Sequence, residues 1–297
     1  MSAVEARQAG PLVQFWGEFS QSRLAVFGLA STLALMLLAA FAPIVSPQDP
    51  YDLAQVSFFD GELPPLSSGS DGAFYLLGTD AQGRDMVSAV IYGLRASFTV
   101  ALSAGALAFV VGTTLGLIAA YFRGTVDSLI MRTAEIQMSF PTILIALVLL
   151  AIFGRGLDKT ILALAMVQWA FYARTVRGAA VVERSKEYIQ ACRLLRLPHW
   201  RVLFWHLLPN VCPPLLVIAG VQLASAITLE ATLSFLGLGL PVTEPSLGLL
   251  IANGFDYLLS GKTWISFYPG IALLFVVVSI NLLADRLREL SHPRLRK

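Results

Sequence analysis

Stretches without a single charged residue constrain this chain most. Leu24–Val45, Ser97–Tyr121, Ile136–Phe153, Val211–Leu229 and Thr263–Ala284 are all charge-free. Each reaches or approaches the roughly 20 apolar residues needed to cross a hydrocarbon core. Only 13% of the 297 residues are charged and 56% are hydrophobic, whereas a soluble domain carries about 25% charged residues. That deficit is too large to reflect a big core, so the expected fold is an all-α integral membrane protein. Thr160–Ala173 is shorter, 14 residues before Arg174. It counts as a sixth span because Arg174 and Arg177 can snorkel from the helix end.

Ala40-Phe41-Ala42 resembles a signal-peptide cleavage site, but the apolar stretch before it exceeds the usual 7–15 residues of such signals. A retained anchor is expected instead. Six spans with both termini inside put 16 of the 21 Lys and Arg residues in the cytoplasm. The other five, Arg84, Arg95, Arg155, Lys159 and Lys262, lie outside. Positive charge is retained inside, so N-in/C-in is the expected orientation. Residues 1–23 then form a cytoplasmic interfacial helix, with Leu12, Phe15, Trp16 and Phe19 at i, i+3, i+4 and i+7. Residues 24–46 are the first span, 47–96 an external loop expected to be ordered only in its last part, 97–285 a core of five further spans, and 286–297 a cytoplasmic tail.

Within the external loop, Thr79 and Gln82 of "LGTDAQGRD" have capping-box spacing. In the second span Ser97, Ala101 and Gly105, then Gly112, Gly116 and Ala120, recur every four residues, a pattern that lets helix backbones approach closely. Glu230 lies near the outer end of an apolar run, beside Thr228, Thr232 and Ser234. It is either a residue of the transport path or a structural acid that snorkels. Glu135, one turn from Arg132, reads as an i, i+3 ion pair.

The basic segment "SKEYIQACRLLRLPHWRVLFWHLLPN", residues 185–210, separates two apolar runs. Tyr188, Ala191 and Leu195, then Leu203, Leu207 and Leu208, fall at helical spacing. Leu197-Pro198 breaks the pattern. Two short helices, 185–196 and 199–208, are therefore expected to meet at an angle. Their exposed apolar residues Tyr188, Leu194, Leu197 and Trp200 call for a protein partner rather than lipid headgroups.

This segment resembles the Glu-Ala-Ala loop of binding-protein-dependent ABC importer permeases. With "LGTDAQGRD" and "FLGLGLP", the chain is similar, over about residues 12–297, to the second permease subunit of dipeptide, oligopeptide and nickel importers. Gln190-Ala191-Cys192 occupy the Glu-Ala-Ala positions, Arg196 the position of a glycine, and Leu208-Pro209 the closing pair. Glu187 lies one turn before the missing carboxylate, and Pro198 is expected to supply the break that the glycine would. By this resemblance the ATPase-coupling surface comprises Glu187, Tyr188, Gln190, Ala191, Cys192, Arg193, Arg196, Leu197, Pro198, Trp200, Leu208 and Pro209.

The resemblance also implies a homologous second permease subunit, two ATPase subunits inside, an external solute-binding protein, a lipid environment, and location in a bacterial inner membrane. It implies no nucleic-acid partner and no cofactor on this chain, with ATP and Mg held by the ATPases. Dipeptides or oligopeptides are the expected solutes, with nickel or another small solute as the alternative. ATP-driven closure of the ATPases would pull the loops together and turn the path outward.

Enzymatic chemistry finds no support. Gly261-Lys262-Thr263 ends a P-loop-like string, but Asp256 stands where the first phosphate-cradling glycine belongs. His199, His206 and His292 lack metal or nucleophile spacing, and Cys192 and Cys212 read as ordinary thiols rather than a metal site. No catalytic or metal-binding residue is expected. A secondary transporter is the alternative of another class, although no internal repeat supports it. On the expected topology, a cysteine placed at Ser68 should react with an impermeant thiol reagent from outside, relative to the unaltered chain, and one at Ser185 should not. The reverse pattern would overturn the orientation.

Overall fold

The computed structural model describes residues 11–52, 54–70, 72–241 and 244–291. Helix α1 (Pro11–Phe19) matches the expected interfacial helix in place. Phe19 is buried, and the half-exposed rings of Phe15 and Trp16 stack on it. Ser22 caps α2 (Arg23–Ala40) by accepting from the Ala25 N–H, and Phe41 turns the chain into the short α3 (Ala42–Val45).

Between α3 and the next helix, the segment expected outside is folded almost throughout its described residues, not only in its last part. Strand β1 (Ser67–Ser68) pairs antiparallel with β2 (Phe74–Tyr75). Thr79 makes no capping box. Its hydroxyl accepts from the Leu63 N–H at 2.8 Å and donates to the Asp60 carbonyl at 2.6 Å. Asp80 instead ties the turn, accepting from the N–H groups of Gln82 and Arg84. Burial pushes the Asp80 carboxyl above its ordinary range, and those two backbone donors oppose the shift. Gly83 sits at φ +80°, where a Cβ would lie 2.0 Å from the Ser57 oxygen.

Asp85 caps α4 (Met86–Phe122), accepting from both the N–H and hydroxyl of Ser88. This 37-residue helix, about 55 Å long at 1.5 Å per residue, begins well before the expected span. Arg95 ended the charge-free run but not the helix, because its side chain points out to an exposed face. The helix therefore begins within the 47–96 segment that the sequence reads as a loop.

Helices α5 (Gly124–Met138) and α6 (Thr142–Phe153) meet at a 93° bend. The run Ile136–Phe153 is thus no single helix. Pro141 forces Phe140 away from helical geometry and has no N–H to continue α5. Helix α7 (Leu157–Glu183) continues beyond the predicted end at Ala173. Arg177 stays within it because its guanidinium grips Asp127 of α5 through both carboxylate oxygens, at 3.0 and 2.7 Å. Arg132 and Glu135, expected to pair, form no ion pair among the described residues.

Helix α8 (Glu187–Leu194) follows. The anticipated second short helix is not separate. It is the start of one rod, His199–Phe235, made of α9 (His199–Arg201), a π-helical stretch Val202–Leu207 and α10 (Leu208–Phe235). Pro209 lacks an N–H and its ring collides with the carbonyl four residues back. Widening the preceding turn to π geometry relieves that collision. Ser246 caps α11 (Leu247–Phe255), and α12 (Trp264–Ser291) closes the chain. The presumed tail from 286 is helical to Ser291, and 292–297 lie outside the described residues.

By length and composition four helices suit a membrane crossing, or five if the bent α5–α6 pair is one span. The chain is a mostly helical, multi-pass membrane protein. Its central contact is α4 on α7. A Cβ at Gly112 would lie 2.4 Å from the Trp169 oxygen, and one at Gly116 2.5 Å from the Ala173 oxygen. The predicted close approach is real at both. Gly105 differs, since a Cβ there would meet nothing. It lines an apolar groove with Phe109, Tyr172 and Leu223.

Gly112→Val is therefore expected to cost about 1–3 kcal/mol or more by overpacking and to lower the thermal midpoint of the detergent-purified chain. Gly105→Ala should leave it unchanged or raise it slightly, since alanine fits there and a mid-helix glycine costs chain entropy. Equal midpoints for the two variants would refute the close contact.

Candidate functional site

The basic segment forms an elbow at one end of the bundle. On α8 Tyr188, expected to be exposed, is half-buried, and the buried side chains are Ile189 and Cys192. They join Tyr121, Val176, Val202, Leu203 and Leu207 in one apolar cluster. Leu197 packs partly buried against the same cluster. Before the π-helical stretch, the apolar side chains left outward are Leu194 (85% exposed), Leu195 (74%) and Trp200 (60%), and within it Phe204 and Trp205 are exposed as well.

Arg196 sits at φ +51°. The Leu197 N–H donates to the Cys192 carbonyl at 3.1 Å, and the Arg196 N–H to the Arg193 carbonyl at 3.0 Å. These are the paired bonds of a Schellman cap, with Arg196 in the left-handed place usually held by glycine. So the turn survives the loss of glycine, and Pro198 only starts the next helix. Sequence reasoning assigned the break to Pro198 alone; the positive φ at Arg196 corrects this.

Polar contacts hold the elbow on two sides. The Tyr188 hydroxyl donates to Glu183 at 2.7 Å, and Lys186 pairs with the same carboxylate at 2.7 Å. Burial, and then the bond to Glu183, push the Tyr188 hydroxyl above its ordinary pKa. On the other side Tyr121, near the end of α4, shares a 2.9 Å hydrogen bond with His199 Nδ1. The Arg193 guanidinium lies 4.9 Å from the centre of the Tyr121 ring. Phe122 packs edge-on against both rings. Burial, then Arg193 and Arg123 nearby, lower the pKa of Arg184. Arg184, Arg193, Arg196 and Arg201 make the elbow cationic around an exposed apolar tip. Gln190 and Ala191 are exposed, whereas Pro209 follows the π-helical turn with Leu208 half-buried. Nothing in the sequence pattern pointed to Tyr121, which lies 78 residues from His199.

The opposite end is built from the segment between α3 and α4, which the sequence reading expects outside. Trp264 donates to the Thr79 carbonyl at 3.2 Å, and Lys262 pairs with Glu62. Lys262 is thus occupied by a carboxylate, and Gly261 ends a short 3-10 turn, Leu258–Ser260. Inside the bundle Glu230 does not snorkel: it is fully buried. It accepts from Ser97 of α4 at 2.7 Å and Ser234 of α10 at 2.8 Å, with a further side-chain bond from Ser246. Thr228 and Thr232 bond back to their own helix instead. A carboxylate satisfied by three serines from three parts of the chain acts as a structural node.

With this geometry in place, comparison with known proteins is decisive. Residues 112–297 match the model described as binding-protein-dependent transport system inner membrane component, and residues 10–65 match the N-terminal TM domain of oligopeptide transport permease C. The chain belongs to the binding-protein-dependent inner membrane transport family. It is 37% identical over 287 residues to the di/tripeptide transport system permease protein DppC of Pseudomonas aeruginosa, covering 96% of this chain and 93% of that one. It is 34% identical to the dipeptide transport system permease protein DppC of Haemophilus influenzae, over 97% and 96% of the two chains. Among solved structures, an inward-facing MetNI methionine ABC transporter shares the fold at 21% identity and TM-score 0.57, covering 70% of this chain and 98% of that one.

Arg196 is one of four described non-glycine residues at positive φ, with Glu62, Leu66 and Arg123. Arg196→Gly should leave the subunit at least as stable. Relief of the left-handed cost of about 1–2 kcal/mol offsets the roughly 0.4–1 kcal/mol of added chain entropy. Arg196→Val should be clearly less stable, because β-branched side chains are outliers at positive φ. Denaturation of purified variants measures this, and equal stability of Val and Gly would rule the turn out.

Proposed function

We propose that this chain is a non-catalytic permease subunit of an ABC importer, lining a path for dipeptides or oligopeptides across a bacterial inner membrane. The orientation is six-span, N-in/C-in, with α5–α6 and α7 completing the count. The segregation of the structure supports this: the elbow meets the end of α4 at Tyr121, while the folded external segment meets α11 and α12 at the other end. A second, homologous permease subunit completes the path, and a solute-binding protein delivers the peptide outside. ATP and Mg belong to two ATPase subunits inside, and this chain holds no cofactor.

One observation carries the reading. A rigidly braced, cationic elbow presents Leu194, Leu195 and Trp200 to the outside of the fold. Covering an apolar side chain of this size is worth about 1.5–3 kcal/mol, and large anchors with charged neighbours mark protein docking sites. A groove on an ATPase subunit is the occupant this family's coupling loop implies. Peptide rather than nickel is favoured by the names of the relatives, which are di- and tripeptide permeases.

The test uses the complete importer in cells. Leu194, Leu195 and Trp200 changed together to serine should release the ATPase subunits on purification and reduce alanyl-alanine uptake at least about tenfold, the scale of losing interface anchors. The subunit should still insert normally. Retained attachment and uptake would refute the docking surface. Peptide uptake by this chain alone in vesicles, driven by an ion gradient, would favour a secondary transporter instead.

A further inference from the structure

The elbow must do more than bind an ATPase: its displacement has to reach the spans. We infer that Tyr121 is a positioning residue for transport, which ties the coupling elbow to α4 through its hydrogen bond to His199. The inference rests on the importer reading above. Most elbow contacts to the bundle are apolar, through Ile189, Cys192, Val202 and Leu203. Such contacts have no preferred direction and permit sliding.

The polar contacts of Tyr188 and Lys186 reach only Glu183 and the His206 carbonyl, the latter at 3.5 Å, so they bind the elbow to its own flanking segments. Among the described residues, the Tyr121–His199 bond is the one hydrogen bond between residues 187–201 and α4. It is directional, and the face of the same ring carries Arg193 of α8. A single side chain thus meets both arms of the elbow, α8 through Arg193 and α9 through His199.

Helix α4 is the right recipient. Gly112 and Gly116 lock it to α7, Ser97 joins it to α10 through Glu230, and Gln48 anchors its other end by accepting from the Asp85 N–H and donating its own N–H to Ser88. A shift imposed at Tyr121 therefore reaches both inner and outer contacts of the bundle. Tyr121→Phe removes the hydroxyl alone and keeps the ring for Arg193 and Phe122.

The experiment uses the whole importer, purified with its ATPase subunits, reconstituted in vesicles with its binding protein and supplied with alanyl-alanine. Tyr121→Phe should keep the ATPases attached while ATP hydrolysed per peptide transported rises about fivefold, the scale of one hydrogen bond's net contribution. His199→Leu should match it, and the double variant should be no worse than either single one. His199→Asn keeps a polar atom near the Nδ1 position and should stay close to the parent ratio. A merely structural role would lower the yield of assembled importer and leave the ratio unchanged. An unchanged ratio in Tyr121→Phe, loss of ATPase attachment, or additive losses in the double variant would overturn the inference. Absence of ATP-dependent uptake by the parent importer would instead overturn the importer reading, and this inference with it.

Discussion

The contact between α4 and α7 sets the spacing of everything around it. Two glycines a turn apart let the α4 backbone rest on the backbone of α7, with no room for a Cβ at either place. In lipid there is little hydrophobic gain in bringing helices together, so close packing of small residues takes over. Once α4 and α7 are fixed, α10 has one place left to lie, and α5 is drawn in by the Arg177–Asp127 pair. The elbow then closes under the end of α4, because it follows directly from α7.

Polar side chains fix what packing alone leaves loose. Glu230 with its serines, Ser31 with Ser279 at 2.9 Å, and Gln168 with the Gln222 carbonyl at 3.1 Å each join separate helices. An unsatisfied polar group in an apolar interior is expensive. Each pair therefore selects one register between two helices and penalises its neighbours. Every such link lies within the bundle, whereas the elbow presents its unsatisfied surface outward. That division suits a body that holds its shape and a surface that takes a partner.

Much of this was legible in advance. Charge-free runs located most of the long apolar helices, the glycine pair announced the close approach, and the basic, proline-broken segment announced the elbow. The errors share a physical origin. Charge marks where a residue prefers water, not where backbone hydrogen bonding stops, so α4 ran back past Arg95 and α7 ran on past Arg174 and Arg177. Tyr188 and Leu197 were expected in an exposed patch, but the elbow folds back on the bundle and half-buries both. Gly105 fits the small-residue pattern perfectly, yet it faces a groove rather than a helix.

The sequence by itself determined the membrane-embedded helical class, the family, and the position of the elbow, because composition and local turn chemistry act over a few residues. Tertiary structure alone decided that Thr79 braces a loop instead of capping a helix, that Arg196 accepts a left-handed turn, that Glu230 is enclosed by serines, and that Tyr121 meets His199. Each of those outcomes depends on groups far apart in the chain, and no local pattern encodes which distant partner will arrive.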